Sequence, residues 1–180
     1  MRVVGGKARG RRLQAPKGLA TRPTSDRVRE ATFNALESIN ALRDAVVLDL
    51  FAGTGAMGIE ALSRGATAAT FVDDDRAAVA TVKANLAATG FEGRVVNGDV
   101  IHHLRTGGRA GATLVLVDPP YSFDQWDELL ALIHDAEVAV AVLESDREID
   151  PGEAWRVRRS KRYGGTVVTI ASPAENRFFG

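Results

Sequence analysis

The sequence predicts a doubly wound α/β fold: a mostly parallel, Rossmann-like seven-stranded sheet with a small basic β-hairpin extension at its N-terminal end. Three observations carry this. Short apolar runs alternate with helical patterns between residues 45 and 143, as in βαβ units joined by right-handed crossovers. Gly53, Gly55 and Gly58 stand at G-x-G-x-x-G spacing between the first such run and the helical segment after it. Trp155–Tyr163 and Thr166–Ala171 face each other across Gly164-Gly165, a hairpin that ends the sheet with an antiparallel strand.

The elements follow in order. Arg2–Val4 and Arg12–Gln14 read as two short strands around a turn rich in Gly5, Gly6 and Gly10. A loop spans Ala15–Pro23. Thr24 or Ser25 then caps a helix reaching about Ile39, with Val28, Thr32, Ala35, Leu36 and Ile39 on one face. Strands are expected at 45–50, 68–73, 94–97, 112–117, 138–143, 154–162 and 165–171, and helices at 56–64, 75–89, 99–106 and 124–134. The division expected is a basic arm over residues 1–24 and one larger domain over 25–180, with no internal repeat.

Composition narrows the function classes. A chain of 180 residues, 45% of them hydrophobic, can bury one substantial core with a modest appendage. With no cysteine, disulfides and thiolate metal sites are excluded. No apolar run approaches the roughly 20 residues of a membrane span, and the first residues lack a signal peptide's apolar centre, so a cytoplasmic protein is expected; a monomer is expected as well. His102, His103 and His134 lack metal-like spacing with nearby acids; surface or helix positions are expected for them, and no metal.

The net charge of zero hides an asymmetry. Residues 1–29 hold nine Lys or Arg against one acid, Asp26, while the rest of the chain holds 14 basic and 22 acidic residues. A basic arm on an acidic body suits a polyanion contacted by one face. Lys7, Arg9, Arg11, Arg12, Arg22, Arg27 and Arg29 are the candidate contacts. Arg156, Arg158, Arg159, Lys161 and Arg162 form a second basic run, where simple alternation puts 156, 158 and 162 on one face, either solvated or touching the same polyanion. Phe178 and Phe179 are candidates to pack on the body.

The run Ala45–Leu50 leads into Phe51-Ala52-Gly53-Thr54-Gly55-Ala56-Met57-Gly58, and Asp73 lies 20 residues beyond Gly53 at the end of the next strand. Glycines let the backbone approach a nucleotide there, and the acid can take ribose hydroxyls. The spacing alone suits NAD, but Asp49 lies inside the strand, four residues before Gly53, where its charge would repel a pyrophosphate. S-adenosylmethionine offers an ammonium and a sulfonium instead. At a few ångströms and an effective dielectric of about 20, that change of sign is worth several kcal/mol. S-adenosylmethionine is therefore the expected cofactor, with Asp49, Phe51, Gly53, Gly55, Asp73, Asp74, Asp99 and Val100 as candidate contacts. Asp99 would accept from the adenine amine, cap the helix after it, or both, with Val100 against the ring.

Thr113–Val117 ends in Asp118-Pro119-Pro120-Tyr121, and ligands of open α/β sheets bind at the carboxyl ends of strands. Two prolines stiffen the turn and hold a carboxylate and an aromatic ring in fixed relation. The amino group of a nucleobase is a poor nucleophile because its lone pair is delocalised into the ring. Asp118 and the Pro119 carbonyl can accept its two N–H bonds, while Tyr121 stacks on a base taken out of its helix.

The segments RVVGGKARGRRL (2–13), RPTSDRVREATFNAL (22–36), LDLFAGTGAMGIEALSRGA (48–66) and VDPPY (117–121) together resemble the small-subunit ribosomal RNA guanine-N2 methyltransferases, the RsmD-like family. The resemblance spans nearly the whole chain. The glycine loop and DPPY occur in many amino methyltransferases; the N-terminal segments are the specific carriers. The resemblance implies the class I S-adenosylmethionine-binding fold and methylation of a guanine N2 in 16S rRNA, in an assembled or partly assembled 30S particle. It assigns cofactor contacts to Asp49, Gly53, Gly55, Asp73 and Asp99, and the target-amine site to Asp118–Tyr121. Three other readings compete: an NAD-dependent oxidoreductase, a non-catalytic RNA-binding assembly factor, and a methyltransferase acting on adenine N6 or a protein glutamine. Asp49, the intact glycine loop and DPPY weigh against the first two. The small size leaves little room for a DNA-recognition domain.

Overall fold

A computed structural model describes residues 1–15, 26–109, 111–134 and 138–175. The expected cap at Thr24 or Ser25, Arg22, and Phe178–Phe179 lie outside the described residues. The elements are α1 (Asp26–Ser38), β1 (Val46–Leu50), α2 (Ala56–Ser63), β2 (Ala68–Asp73), α3 (Arg76–Thr89), β3 (Arg94–Asn97), α4 (Val100–Arg105), β4 (Leu114–Val117), α5 (Trp126–His134), β5 (Val140–Ser145), β6 (Trp155–Tyr163) and β7 (Thr166–Pro173). Each lies where the periodicity placed it, with ends coinciding or shifted by at most two residues. Among the described residues no helix is long and apolar enough to cross a membrane.

The seven strands form one sheet in the order β3-β2-β1-β4-β5-β7-β6. β1 to β5 are parallel to one another, and β7 runs antiparallel between β5 and β6. The strand order reverses between β1 and β4, which opens a crevice at their carboxyl ends. Both faces are covered, so β4 and the first four residues of β5 read as unbroken apolar runs rather than alternating ones. α1, α2 and α3 cover one face, where Phe33, Leu36, Ile59, Phe71, Val82 and Leu116 are buried together. α4 and α5 cover the other, over Leu48, Leu50, Val115, Leu129 and Ile133.

Two expectations change. The N-terminal segment is not a two-stranded hairpin: it is a loop closed by one antiparallel bridge, Arg2 to Arg12, with Val3 N–H donating to the Arg11 carbonyl and Gly10 N–H to the Val3 carbonyl. Leu13 N–H donates to the Met1 carbonyl, and three further backbone N–H groups of the segment go to α2. Val4 N–H donates to Glu60 Oε2 at 2.8 Å, Lys7 N–H to the Ser63 carbonyl at 2.8 Å and Ala8 N–H to Ser63 Oγ at 2.9 Å. Gly6, at φ 72°, lies so close to α2 that a Cβ would meet the Ser63 carbonyl oxygen at 1.9 Å. Val3, Ala8 and Leu13 are buried in the same core as α1 and α2.

The second change is on β6. A bulge between Val157 and Arg159 interrupts the pairing with β7, so Arg156 opposes Ser172, Arg159 opposes Ile170 and Lys161 opposes Val168, while Arg162 opposes Val167. One extra residue flips the parity of all that follow. Arg156, Arg159 and Lys161 therefore share a face, and Arg162 lies on the other, unlike the 156, 158 and 162 grouping that simple alternation predicts.

Candidate active site

β1 delivers the chain to the crevice. Asp49 shares its inward face with Val47, toward α2, and is only 3% exposed. Its Oδ2 accepts the Gly58 N–H at 2.9 Å. Burial pushes the Asp49 carboxyl up to about 8; the Gly58 N–H opposes the rise and the neighbouring Asp73 carboxylate adds to it. After Leu50 the chain turns sharply, with Phe51 at φ 59°, Gly53 at 55° and Gly55 at 74°. Gly58 is required for packing: a Cβ there would meet the Phe71 ring at 2.4 Å. Small residues in this loop thus leave a concave backbone cradle at the start of α2.

β2 places Asp73 beside the cradle, where Oδ2 accepts the Gly53 N–H at 2.8 Å and Oδ1 the Asp75 N–H at 2.9 Å. Burial raises the Asp73 carboxyl above its ordinary range, the two N–H bonds oppose that, and the Asp74 and Asp75 carboxylates reinforce it. Asp75 is the cap of α3, accepting from Ala77 N–H at 2.7 Å, and Asp74 is exposed. Asp99 caps α4 through the His102 N–H at 2.7 Å and remains exposed, while Val100 is buried.

β4 pairs with β1 so that Val117 lies opposite Leu50, which sets Asp118 directly beside Phe51 and the glycine loop. Asp118 is half-buried, Pro119 buried, Pro120 exposed and Tyr121 45% exposed. A shallow cleft lies against this turn, with Pro119, Tyr121 and Phe123 on one side and Ser145, Asp146 and Arg147 from the end of β5 on the other. Arg147 Nη1 pairs with Asp146 Oδ1 at 3.1 Å, and Nη2 donates to the Phe123 carbonyl at 3.4 Å.

Several of these residues escaped the sequence reading. Phe123 packs edge-on against Phe51 at 5.1 Å and Trp126 at 5.5 Å, joining the β1 loop to the β4 turn through three rings; the signal was a pair of aromatic residues closely following DPPY. Asn85 is fully buried. Its Oδ1 accepts Gln14 N–H at 2.8 Å, and its Nδ2 donates to the Gln14 carbonyl at 3.0 Å and the Thr54 carbonyl at 2.8 Å. It ties the N-terminal segment to the glycine loop, and its signal was an amide on the apolar stripe of α3. Asp146 and Arg147 had no local signal.

Of the candidate polyanion contacts, Lys7, Arg9, Arg11, Arg12 and Arg27 are exposed, and Arg11 Nη1 donates to the Ala88 carbonyl at 3.0 Å. Arg29 is a correction: it is 0% exposed, bonded to the Arg2 carbonyl and to Asp26 at 2.9 Å, with Glu60 at 3.7 Å. Glu60 also pairs with Arg64 at 2.7 Å. A guanidinium locked among these partners holds the N-terminal segment to α1 and α2 and is not available to a phosphate. His103 is buried with Nε2 against the Gly108 carbonyl at 3.1 Å, and burial lowers its pKa; His134 packs edge-on to Trp155. Among the described residues no group of three His, Asp or Glu is placed to hold a metal ion.

The sheet order, the glycine loop after its central strand and the acid after the next strand define the class I methyltransferase architecture. The family described as Conserved hypothetical protein 95 matches residues 1–172. Ribosomal RNA small subunit methyltransferase D of Escherichia coli (strain K12) is 40% identical over 180 residues, covering 94% of this chain and 88% of that one. The chain belongs to this family, the RsmD family. The solved structure of the hypothetical protein TTHA0928 of Thermus thermophilus matches with a TM-score of 0.81 at 33% identity, over 94% of this chain and 98% of that one. SMU.776, whose structure was solved complexed with SAH, shares the fold at 15% identity and a TM-score of 0.63, over 76% of this chain and 48% of that one.

Proposed function

We propose that the protein transfers a methyl group from S-adenosylmethionine to the exocyclic N2 of a guanine in 16S rRNA, acting as a cytoplasmic monomer on an assembled or partly assembled 30S particle. The observation that carries this reading is the juxtaposition at the switch point: Asp118–Tyr121 at the end of β4 directly beside the glycine cradle at the end of β1. The relatives' described activity on small-subunit rRNA supports it.

The residues present fit the cofactor. A glycine turn with no side chain at Gly53 or Gly55, beside the acids Asp49 and Asp73, suits a cationic nucleoside better than a pyrophosphate. Asp73, partly buried beside Gly53, is the proposed acceptor for ribose hydroxyls, with exposed Asp74 flanking it. Asp49, which burial keeps protonated in the ligand-free fold, ionises to answer the ligand's positive charge. Phe51 and Val100 pack on the ligand, and Asp99 takes the adenine amine. When bound, S-adenosylmethionine supplies an electrophilic methyl group. Asp118 and the Pro119 carbonyl accept the two hydrogens of the target amine and draw its nitrogen toward tetrahedral geometry, and Tyr121 stacks on the base. Asp118 does not need to be a strong base, since the nitrogen becomes acidic only once alkylated. Residues 1–24 act as the RNA-gripping arm through Lys7, Arg9, Arg11 and Arg12, joined by Arg22 and by Arg27 on α1.

The test is incubation of purified protein and isotope-labelled cofactor with unmodified small subunits, naked 16S rRNA and duplex DNA. Label in guanine carrying an N2 methyl, identified by nucleoside mass spectrometry, is the expected result. Label in adenine, in protein or in none of the substrates overturns the reading.

A further inference from the structure

β6 carries five cations and no acid in nine residues. With residues 1–29 it holds the positive excess of the chain, since the residues outside these two segments number nine basic and 22 acidic. Charge on an edge strand prevents pairing with another sheet, but either sign does that. A single sign, on a chain of zero net charge, asks for a second reason.

The bulge supplies the shape. Because of it, Arg156, Arg159, Lys161 and Tyr163 lie on the face that packs toward α1. There, Ala31 and Ala35 of α1 stand across a shallow groove from Arg159, Lys161 and Tyr163. Arg27, exposed, lies one turn before Ala31 on the same helical stripe. The groove thus has a floor of small and aromatic side chains between cationic rims, with Lys161 Nζ held 5.2 Å from the centre of the Tyr163 ring. None of Arg156, Arg159 or Lys161 forms an ion pair with a described residue. A row of unneutralised cations beside a groove fits a phosphodiester backbone, read by charge and spacing and not by base edges.

We propose that the β6–α1 groove is a second docking edge for the RNA substrate, gripping backbone phosphates through Arg156, Arg159 and Lys161 independently of the N-terminal arm. This rests on the reading of the substrate as rRNA. It gives the RNA two cationic holds at separate places on the α1 face of the sheet, so that the chain between them can be presented to the crevice.

The test uses the full chain and an unmodified 16S rRNA transcript, with affinity measured across a salt series. Neutralising the three residues together (Arg156→Gln, Arg159→Gln, Lys161→Gln) should lower the log–log salt slope by about 2, from roughly 0.7 to 0.9 per phosphate contact. Binding of S-adenosylhomocysteine should stay unchanged, which shows that the fold is intact. Arg159→Gln alone is compared with Arg43→Gln, an exposed cation outside both basic segments. An equal loss in these two single variants means a diffuse field and overturns the docking edge. So does an unchanged slope in the triple variant while Lys7→Gln, Arg9→Gln and Arg12→Gln together lower it. A wild-type protein with no measurable affinity for the transcript overturns the substrate reading itself, and the docking edge with it.

Discussion

At Asp49, ligand binding and stability pull in opposite directions. Its carboxyl has a folded pKa of about 8 against an ordinary value of 3.8, chiefly because it is buried. Between about pH 4 and about pH 8 the unfolded chain ionises this group while the folded chain keeps the proton. The folded state then binds more protons, so stability falls as pH rises through that window and levels off above it. Asp49→Asn keeps an acceptor for the Gly58 N–H and removes the titration. Its Tm relative to the parent should climb between pH 4 and pH 8 in calorimetry without added ligand, and its affinity for S-adenosylhomocysteine should drop; a Tm difference that ignores pH would mean that the carboxyl is ionised in the fold. At the neighbouring turn, Asp118→Ala should keep cofactor and RNA binding and lose turnover by orders of magnitude, because orienting a poor nucleophile is worth several kcal/mol in the transition state. Tyr121→Phe should stay active, whereas Tyr121→Ala should lose about 1–3 kcal/mol of stacking, read as kcat/KM on rRNA. Near-normal rates in Asp118→Ala would make the turn purely structural.

At the level of elements, α2 and α3 organise the site. The N-terminus of α2 forms the cradle, its Gly58 bonds Asp49, and its C-terminal turn receives the N-terminal segment through Glu60 and Ser63. α3 adds Asn85, whose amide bridges Gln14 and the carbonyl of Thr54 in the glycine loop. Replacing Asn85 by Leu, similar in size but apolar, leaves the Thr54 carbonyl unpaired beside the core. The expected cost is roughly 1–3 kcal/mol in denaturant unfolding, together with weaker S-adenosylhomocysteine binding because the loop loses its brace. A stability loss with unchanged ligand affinity would confine Asn85 to a packing role.

At the level of the whole molecule, the charge is arranged in two basic segments on an acidic body. Deleting the first segment is a poor probe of its charge, since Val3, Ala8 and Leu13 belong to the core. Neutralisation is the cleaner probe. Lys7→Gln, Arg9→Gln and Arg12→Gln together should reduce the salt slope of rRNA binding by about 2 while sparing the melting temperature. These three side chains are exposed, and exposed charges of this kind contribute little to stability. A slope equal to that of the parent would mean that the segment is a structural clasp and no more.

Local sequence patterns carry whatever a few consecutive residues settle. Apolar runs and helical periodicity located all twelve elements, glycine spacing located the cradle, and Asp118–Tyr121 located the rigid turn, because each is a local pattern with a local physical cause. The class of fold follows from their order. Pairings between distant segments emerge once the elements are packed together. Arg29 looked like one more basic contact until Asp26, Glu60 and the Arg2 carbonyl enclosed it. The glycine-rich start reads as a hairpin, but three of its backbone N–H groups bond to α2, a competitor invisible to strand propensity. One extra residue on β6 re-sorted its cations between the two faces, and nothing in the alternation of that strand announces a bulge. Asp49 shows both halves together: its place in an apolar strand was legible, while its proton affinity depends on how completely α2 and β2 bury it.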